Sequence, residues 1–426
     1  MMRTAPFCLA LALLAARLEA QTDSTWREHD AAADAALARH DFVEARRHTL
    51  AVDSLLGAHP AAVLSLARIA ALSGDSAEAL AQIGRVAEMG VTTRRLADTA
   101  FNGLRASPRF RDLARTIDGN AATIGSARVF ATLPDSDAIG EDLAFEPSSS
   151  RFIVSDVRHG RLFSVGMHGE VSTINVPLPG GWGILGVAVD APRGAVWMTA
   201  VALPQGAGYT AADSGHAAIL RYDLASGRVM RRFDLPSPSA AAPGDLAVAE
   251  NHDLFSGDGQ TGAVYMIRAA TDSLETLVPA GRLHGTQQPA IAPDHRTIFI
   301  ADYGRGIARV DRASGAITWL TYPKDVTLSG IDGLIVRGRD LIAVQNGVVP
   351  NRVVRLTLDG AMNAVLHAQV ILRDSALAPE PTHVVAGQSS LYVIGNAGWS
   401  KYGDDGAPAP GVARIPPRIL VLPLSR

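Results

Sequence analysis

"AIAPDHRTIFIADYGRGIARVDRASG" at 290–315 contains an apolar triplet (AIA), a second apolar run (IFIAD) and a third (IARVD), separated by turn residues. Such short strands punctuated by Pro, Asp and Gly read as an antiparallel meander. The unit recurs. "FIVSD" at 152, "VWMTA" at 196, "LFSGD" at 254, "LIAVQ" at 341 and "LYVIG" at 391 match "IFIAD" at 298, at spacings of 44, 58, 44, 43 and 50 residues. Each follows a triplet ("LAF", "VAV", "LAV", "AIA", "LIV", "VVA") and precedes a third strand ending with "RILVLPL". Four strands per unit at this period predict an all-β, six-bladed β-propeller over 126–426. The sixth unit lacks room for its fourth strand, and "SARVFATLP" at 126–134 is expected to supply it, closing the ring and removing its edges.

Residues 22–120 follow another period, with apolar residues at three- and four-residue spacing. "HDFVEARRH" at 40–48 aligns with "GDSAEALAQ" at 74–82, placing Asp41 and Asp75 34 residues apart with Pro60 between them. That is the tetratricopeptide period, so a small all-α tetratricopeptide-like domain is expected, either offering a concave face to a protein partner or simply capping the propeller. Residues 1–20, with Arg3 and an apolar run from Ala5 to Ala16, read as a secretory signal peptide, too short for a membrane anchor. The sole cysteine, Cys8, lies inside it, so the mature chain would have no disulfide or thiolate chemistry and would be periplasmic or secreted. With 39 basic and 42 acidic residues, no electrostatic footprint for nucleic acid or an anionic membrane exists, and no transmembrane segment is expected in the mature chain.

Counting two places back from each inner triplet gives Glu141, Leu185, Gly244, Gln288, Asp332 and Thr382, positions expected to converge on the channel mouth. Two carboxylates and an amide oxygen suit a hard divalent cation such as calcium, and the absence of His and Cys from the six argues against zinc or copper. Asp156, Asp258, Asp302 and Asn346, after the second strands, read as turn residues beside glycines, with a contribution to a second cation site as the other reading and Asn346 also a channel-mouth candidate. "SGDGQTG" opens no helix, so it is no phosphate loop, and Ser155 with His159 lacks a nucleophile elbow. The insertions at 202–217 and 396–411 bring Tyr209, His216, Trp399 and Tyr402 as ligand-packing candidates, and "EPTH" places Thr382 and His383 beside the cavity.

Glu141 in "GEDLAF", the amide of the fourth unit and the Asp-Gly-Leu at 332–334 resemble the senescence marker protein/gluconolactonase/luciferin-regenerating family, over roughly 127–426. The resemblance implies one divalent cation at the mouth held by Glu141, Gln288 and Asp332, Asp332 also as general base, and hydrolysis of a lactone or related small-molecule ester. This chain departs from the family in having Gln288 for the family's Asn, Gly244 with Asp245 beside it for a substrate-contacting Asn, and the helical domain. The alternative is a non-catalytic binding or scaffold propeller whose helical repeats recruit a partner.

Overall fold

The computed structural model describes residues 25–235 and 241–424; the leader reading at 1–20 lies outside them. Among the described residues no helix is long and apolar enough to cross a membrane.

The helices come first: α1 (Trp26–Ala38), α2 (Phe42–Leu56), α3 (Pro60–Leu72), α4 (Ser76–Glu88) and, after two short 3₁₀ turns, α5 (Pro108–Gly119). The 34-residue repeat is a repeat of caps. Asp41 accepts the Glu44 N–H and Asp75 the Glu78 N–H, both at 3.0 Å, each satisfying an otherwise unpaired helix-start donor. Pro60 stands in the first turn of α3, where its missing N–H costs nothing. The resulting antiparallel hairpins pack Val63, Ala67, Ile83, Val86, Phe101 and Leu113 into one core.

Six four-stranded antiparallel sheets follow. Their innermost strands are Gly140–Glu146, Trp182–Asp190, Pro243–Val248, Thr286–Ile291, Ile331–Arg337 and Val384–Ala386, numbered here as blades 1 to 6. The last sheet is completed by Arg128–Thr132, which pairs antiparallel with Arg418–Pro423, so the first strand of the domain closes the ring as the sequence predicts. Adjacent blades share buried apolar faces, for example Phe299, Leu334 and Leu356 between blades 4 and 5.

The helical domain sits on the face bearing the loops between second and third strands. Val348 from blade 5 is part of the helical core, and Leu56 lies against Gly304 of blade 4. Arg352 is buried and ties the two: Nε donates to Gln345 Oε1 at 2.8 Å, and Nη1 donates to Met89 O at 2.9 Å and Gly90 O at 3.1 Å. The helices are thus both a repeat and a cap.

Arg352→Ala strands two buried carbonyls and Gln345, so it is expected to cost roughly 2–3 kcal/mol in a urea titration and to expose the 90–125 connector to protease. A second expectation concerns His59, the N-cap of α3, whose Nδ1 accepts the Ala61 N–H. Burial, then the nearby Arg95 charge, holds its imidazole below the ordinary 6.5. The unfolded chain therefore takes the proton first, and the stability His59 contributes is present above about pH 6.5 and lost as pH falls toward the depressed folded value. Between pH 7.5 and 5.5 the urea midpoint should fall further for the native protein than for His59→Asn, which keeps a capping oxygen; equal falls would contradict this.

Candidate metal centre in the propeller channel

Each inner strand enters the channel through a break in its ladder. Pairing skips two residues in blades 1 to 5: Glu141-Asp142, Leu185-Gly186, Gly244-Asp245, Gln287-Gln288 and Asp332-Gly333. In blade 6 the equivalent pair is Thr382-His383, held by Thr382 N–H to Ile394 O and Ile394 N–H to His383 O. A bulge of this kind re-aims side chains that a regular strand would send to alternate faces. Two residues per blade are therefore delivered to the axis, in an upper and a deeper tier.

The register corrects one sequence assignment. Pro289 pairs where Leu143, Val187, Leu246 and Leu334 pair, so Gln287, not Gln288, is the counterpart of Glu141 and Asp332. Counting back from "AIA" slipped one place because Pro289, the true first ladder residue, is not an obvious strand former. Gln288 belongs to the deeper tier, and its Oε1 accepts the Leu334 N–H of the next blade at 2.7 Å. That oxygen serves the ring, and we leave it out of the ligand set.

Glu141, Asp332 and His383 present one donor atom each, all within 4.8 Å of one another; Asp142, Asp245 and His383 do the same one tier down. His383 joins both sets, overturning the expectation that the donor set lacks histidine. Its Nδ1 lies 2.9 Å from the Glu141 carbonyl and its Nε2 2.8 Å from Asp245 Oδ2, across the ring. Thr382 Oγ1 donates to the same carbonyl at 2.7 Å, locking the backbone of blade 6 to that of blade 1.

Other contacts hold the carboxylates. Trp399 Nε1 donates to Glu141 Oε2, and Asn346 Nδ2 donates to Asp332 Oδ2 and to Pro381 O. Asn346 Oδ1 accepts the Tyr303 hydroxyl at 3.0 Å. Asn346 therefore belongs to the mouth, the second of its two sequence readings. Its position depends on Gly330, at φ +70°, and Gly347: a Cβ on Gly347 would meet the Gly330 Cα at 2.5 Å and force the loop away from Asp332.

Asp156, Asp258 and Asp302 do take the bland role, each accepting backbone N–H groups of its own hairpin and of the loop entering the blade. Ser155 Oγ donates to Leu185 O, and His159 pairs with Asp156, so neither forms a nucleophile pair. Tyr209 is not a mouth residue. It packs into the blade 2 core against Gly181, while His216 stacks on Trp182. The two insertions meet through Gln205 Nε2 and Gly403 O at 3.0 Å, and Leu185, Trp399 and Tyr402 form an apolar wall beside Glu141.

The electrostatics follow from burial. Desolvation, then the Asp332 charge, pushes Glu141 well above the usual carboxylate range. Desolvation likewise raises Asp142 and Asp332 to about 7 each, with the Asp245 charge adding and His383 opposing. Desolvation disfavours a charged His383, yet Asp245, Asp142 and Asp332 outweigh it and lift the imidazole well above 6.5. Four buried carboxyl groups thus face one imidazole, and burial holds protons on them that a bound cation would displace.

No protein-family profile and no curated protein matches the chain. Solved structures do. A gluconolactonase from Xanthomonas campestris is similar at 16% identity, covering 72% of this chain and 92% of that one, TM-score 0.49. A luciferin-regenerating enzyme is similar at 14% identity, covering 70% and 95%, TM-score 0.49. An oxidoreductase of the glucose dehydrogenase kind from Thermus thermophilus is similar at 16% identity, covering 71% and 100%, TM-score 0.48. The six-bladed ring itself stands on this chain's own strand pairing.

Proposed function

We propose that the protein is an exported, divalent-cation-dependent hydrolase acting on a lactone or related small-molecule ester at the propeller mouth. The observation that carries this reading is the convergence of Glu141, Asp332 and His383, one donor atom each within 4.8 Å, in a buried channel holding more carboxyl groups than cations. Export rests on the apolar leader with Arg3 at its start. The donor set fits a divalent ion because two carboxyl groups and an imidazole offer one donor atom each around a common point, the oxygen and nitrogen ligands such ions take.

A cation bound there would supply Lewis acidity toward an acyl oxygen. The chain's own residues would do the rest. Glu141 is held by the Trp399 indole and His383 by the Glu141 carbonyl, so both are pre-oriented. Asp332, held by Asn346, would take the proton of an attacking water. The wall of Leu185, Trp399 and Tyr402 would pack against the apolar part of a ligand and exclude solvent.

A second reading, a binding or scaffold role through the helices, is favoured by one feature. A cavity of about 460 Å³, away from the channel cluster, is lined by Trp26, Asp30, Asp34, Arg68, Arg95 and Asp98 and closed by Gly304 of the propeller. A protein or peptide partner carrying charges of both signs would fit it.

With divalent ion held at saturation, so that a weakened ligand does not account for the loss, Asp332→Asn should lower kcat on a lactone panel by about 10²–10⁴-fold, the usual share of a positioned base. Unchanged turnover would leave only a binding role. Removing divalent ions with EDTA should lower Tm, and restoring them should reverse the fall. A protein whose Tm answers to no divalent ion is not a metal-dependent hydrolase.

A further inference from the structure

In two blades the deeper-tier side chain makes a bond to the next blade that a third blade is denied. In blades 1 and 4 its side chain accepts the N–H of the residue at which pairing resumes in the next blade: Asp142 Oδ2 from Val187 at 2.8 Å, Gln288 Oε1 from Leu334 at 2.7 Å. In blades 2 and 5 the tier is glycine because nothing else fits. A Cβ on Gly186 would stand 2.3 Å from Gly244 O, and one on Gly333 2.6 Å from Thr382 O. In blade 3 the tier residue is Asp245, and the next blade offers Pro289 at the donor position. Proline has no N–H. Asp245 is therefore deprived of the bond its counterparts make.

The consequence is visible. Asp245 Oδ2 and His383 Nε2 are each buried without a hydrogen-bond partner, although they lie 2.8 Å apart, close enough for an ion pair but not aligned as a hydrogen bond. Asp245 is 2% exposed and His383 1%. Each of the two atoms is thus the other's sole polar partner among the described residues, in a contact that lacks hydrogen-bond alignment. The Nδ1 side of His383 explains the direction. It faces the Glu141 carbonyl, which only accepts, so Nδ1 carries a proton, and the position at Nε2, which holds a proton toward Asp245 when no ion is bound, is the one a metal would take by displacing that proton. Metal-bound imidazoles are commonly fixed in this way, by a carbonyl on the other ring nitrogen. Two donors bound side by side on an ion at about 2.0–2.1 Å lie roughly 3 Å apart, close to the observed separation.

We infer that the channel ion is a borderline transition metal of the zinc class, with His383 Nε2 and Asp245 as adjacent ligands below the Glu141 and Asp332 carboxyl groups of the mouth. This rests on the divalent-cation reading above and deepens it. An all-oxygen calcium site would leave the imidazole unused, whereas imidazole with carboxylates suits Zn²⁺, Fe²⁺ or Mn²⁺. Pro289 is then the residue that frees Asp245 for the metal, by withholding the N–H that holds Asp142 and Gln288 elsewhere in the ring.

Metal-stripped protein is titrated with Zn²⁺, Mn²⁺ and Ca²⁺ while Tm is followed, and with Co²⁺ while visible absorption is recorded. Zn²⁺ or Mn²⁺ should raise Tm at concentrations at least about a hundredfold below those at which Ca²⁺ acts. Co²⁺ should develop ligand-field bands that disappear in His383→Gln. Should that variant fail to fold, Asp245→Asn is the second probe, with Zn²⁺ affinity expected to fall by tenfold or more while the Co²⁺ bands shift. Stabilisation by Ca²⁺ alone, with no Co²⁺ bands in the native protein, overturns the zinc-class assignment and leaves the divalent-cation reading standing. No response to any of the four ions ends both.

Discussion

The pairing of Arg128–Thr132 with Arg418–Pro423 is the interaction on which everything else here depends. Without it six sheets form an open fan with two free edges and no axis. With it, blade 1 and blade 6 become neighbours, and Thr382 and His383 reach the Glu141 carbonyl. The same closure sets blade 3 opposite blade 6, and only then do Asp245 and His383 meet. A site built from residues more than a hundred positions apart is thus a product of one antiparallel strand pair.

The second constraint is the bulge that each inner strand carries at its entry. Regular strands would send Glu141 and Asp142, or Gly244 and Asp245, to opposite faces of their sheets. Breaking the ladder turns both toward the axis and frees backbone groups that the deeper side chains then satisfy. Burial of the carboxyl groups costs stability. It is met partly by those bonds, partly by proton uptake at Glu141, Asp142 and Asp332, and partly by His383. The helical domain adds weight on one side of this face, anchored by Arg352 and Val348, while the joined insertions wall the other beside Trp399.

The ring was legible because its signal is repetitive: a strand period recurring at 43 to 58 residues cannot be mistaken for a single sheet. The helical repeat was legible through its caps, Asp41 and Asp75. The mouth residues were harder. Glu141 and Asp332 stand one place before a glycine or an acidic partner and an apolar run, and counting back found them. The same counting missed Gln287 because Pro289 hid the first ladder position, and it treated His383 as a neighbour of Thr382 when it is the deeper half of a bulge. Tyr209 looked available in its loop, but its ring completes the blade 2 core.

The sequence alone determined the six strand repeats, the helical hairpins and the segment that closes the ring, since periodicity and turn chemistry are local properties that each short stretch carries for itself. Tertiary structure alone decided which side chains share the channel. Tier membership depends on where pairing resumes after each bulge, and the Asp245–His383 contact depends on ring closure. Both are relations between strands distant in the chain, which no single strand encodes.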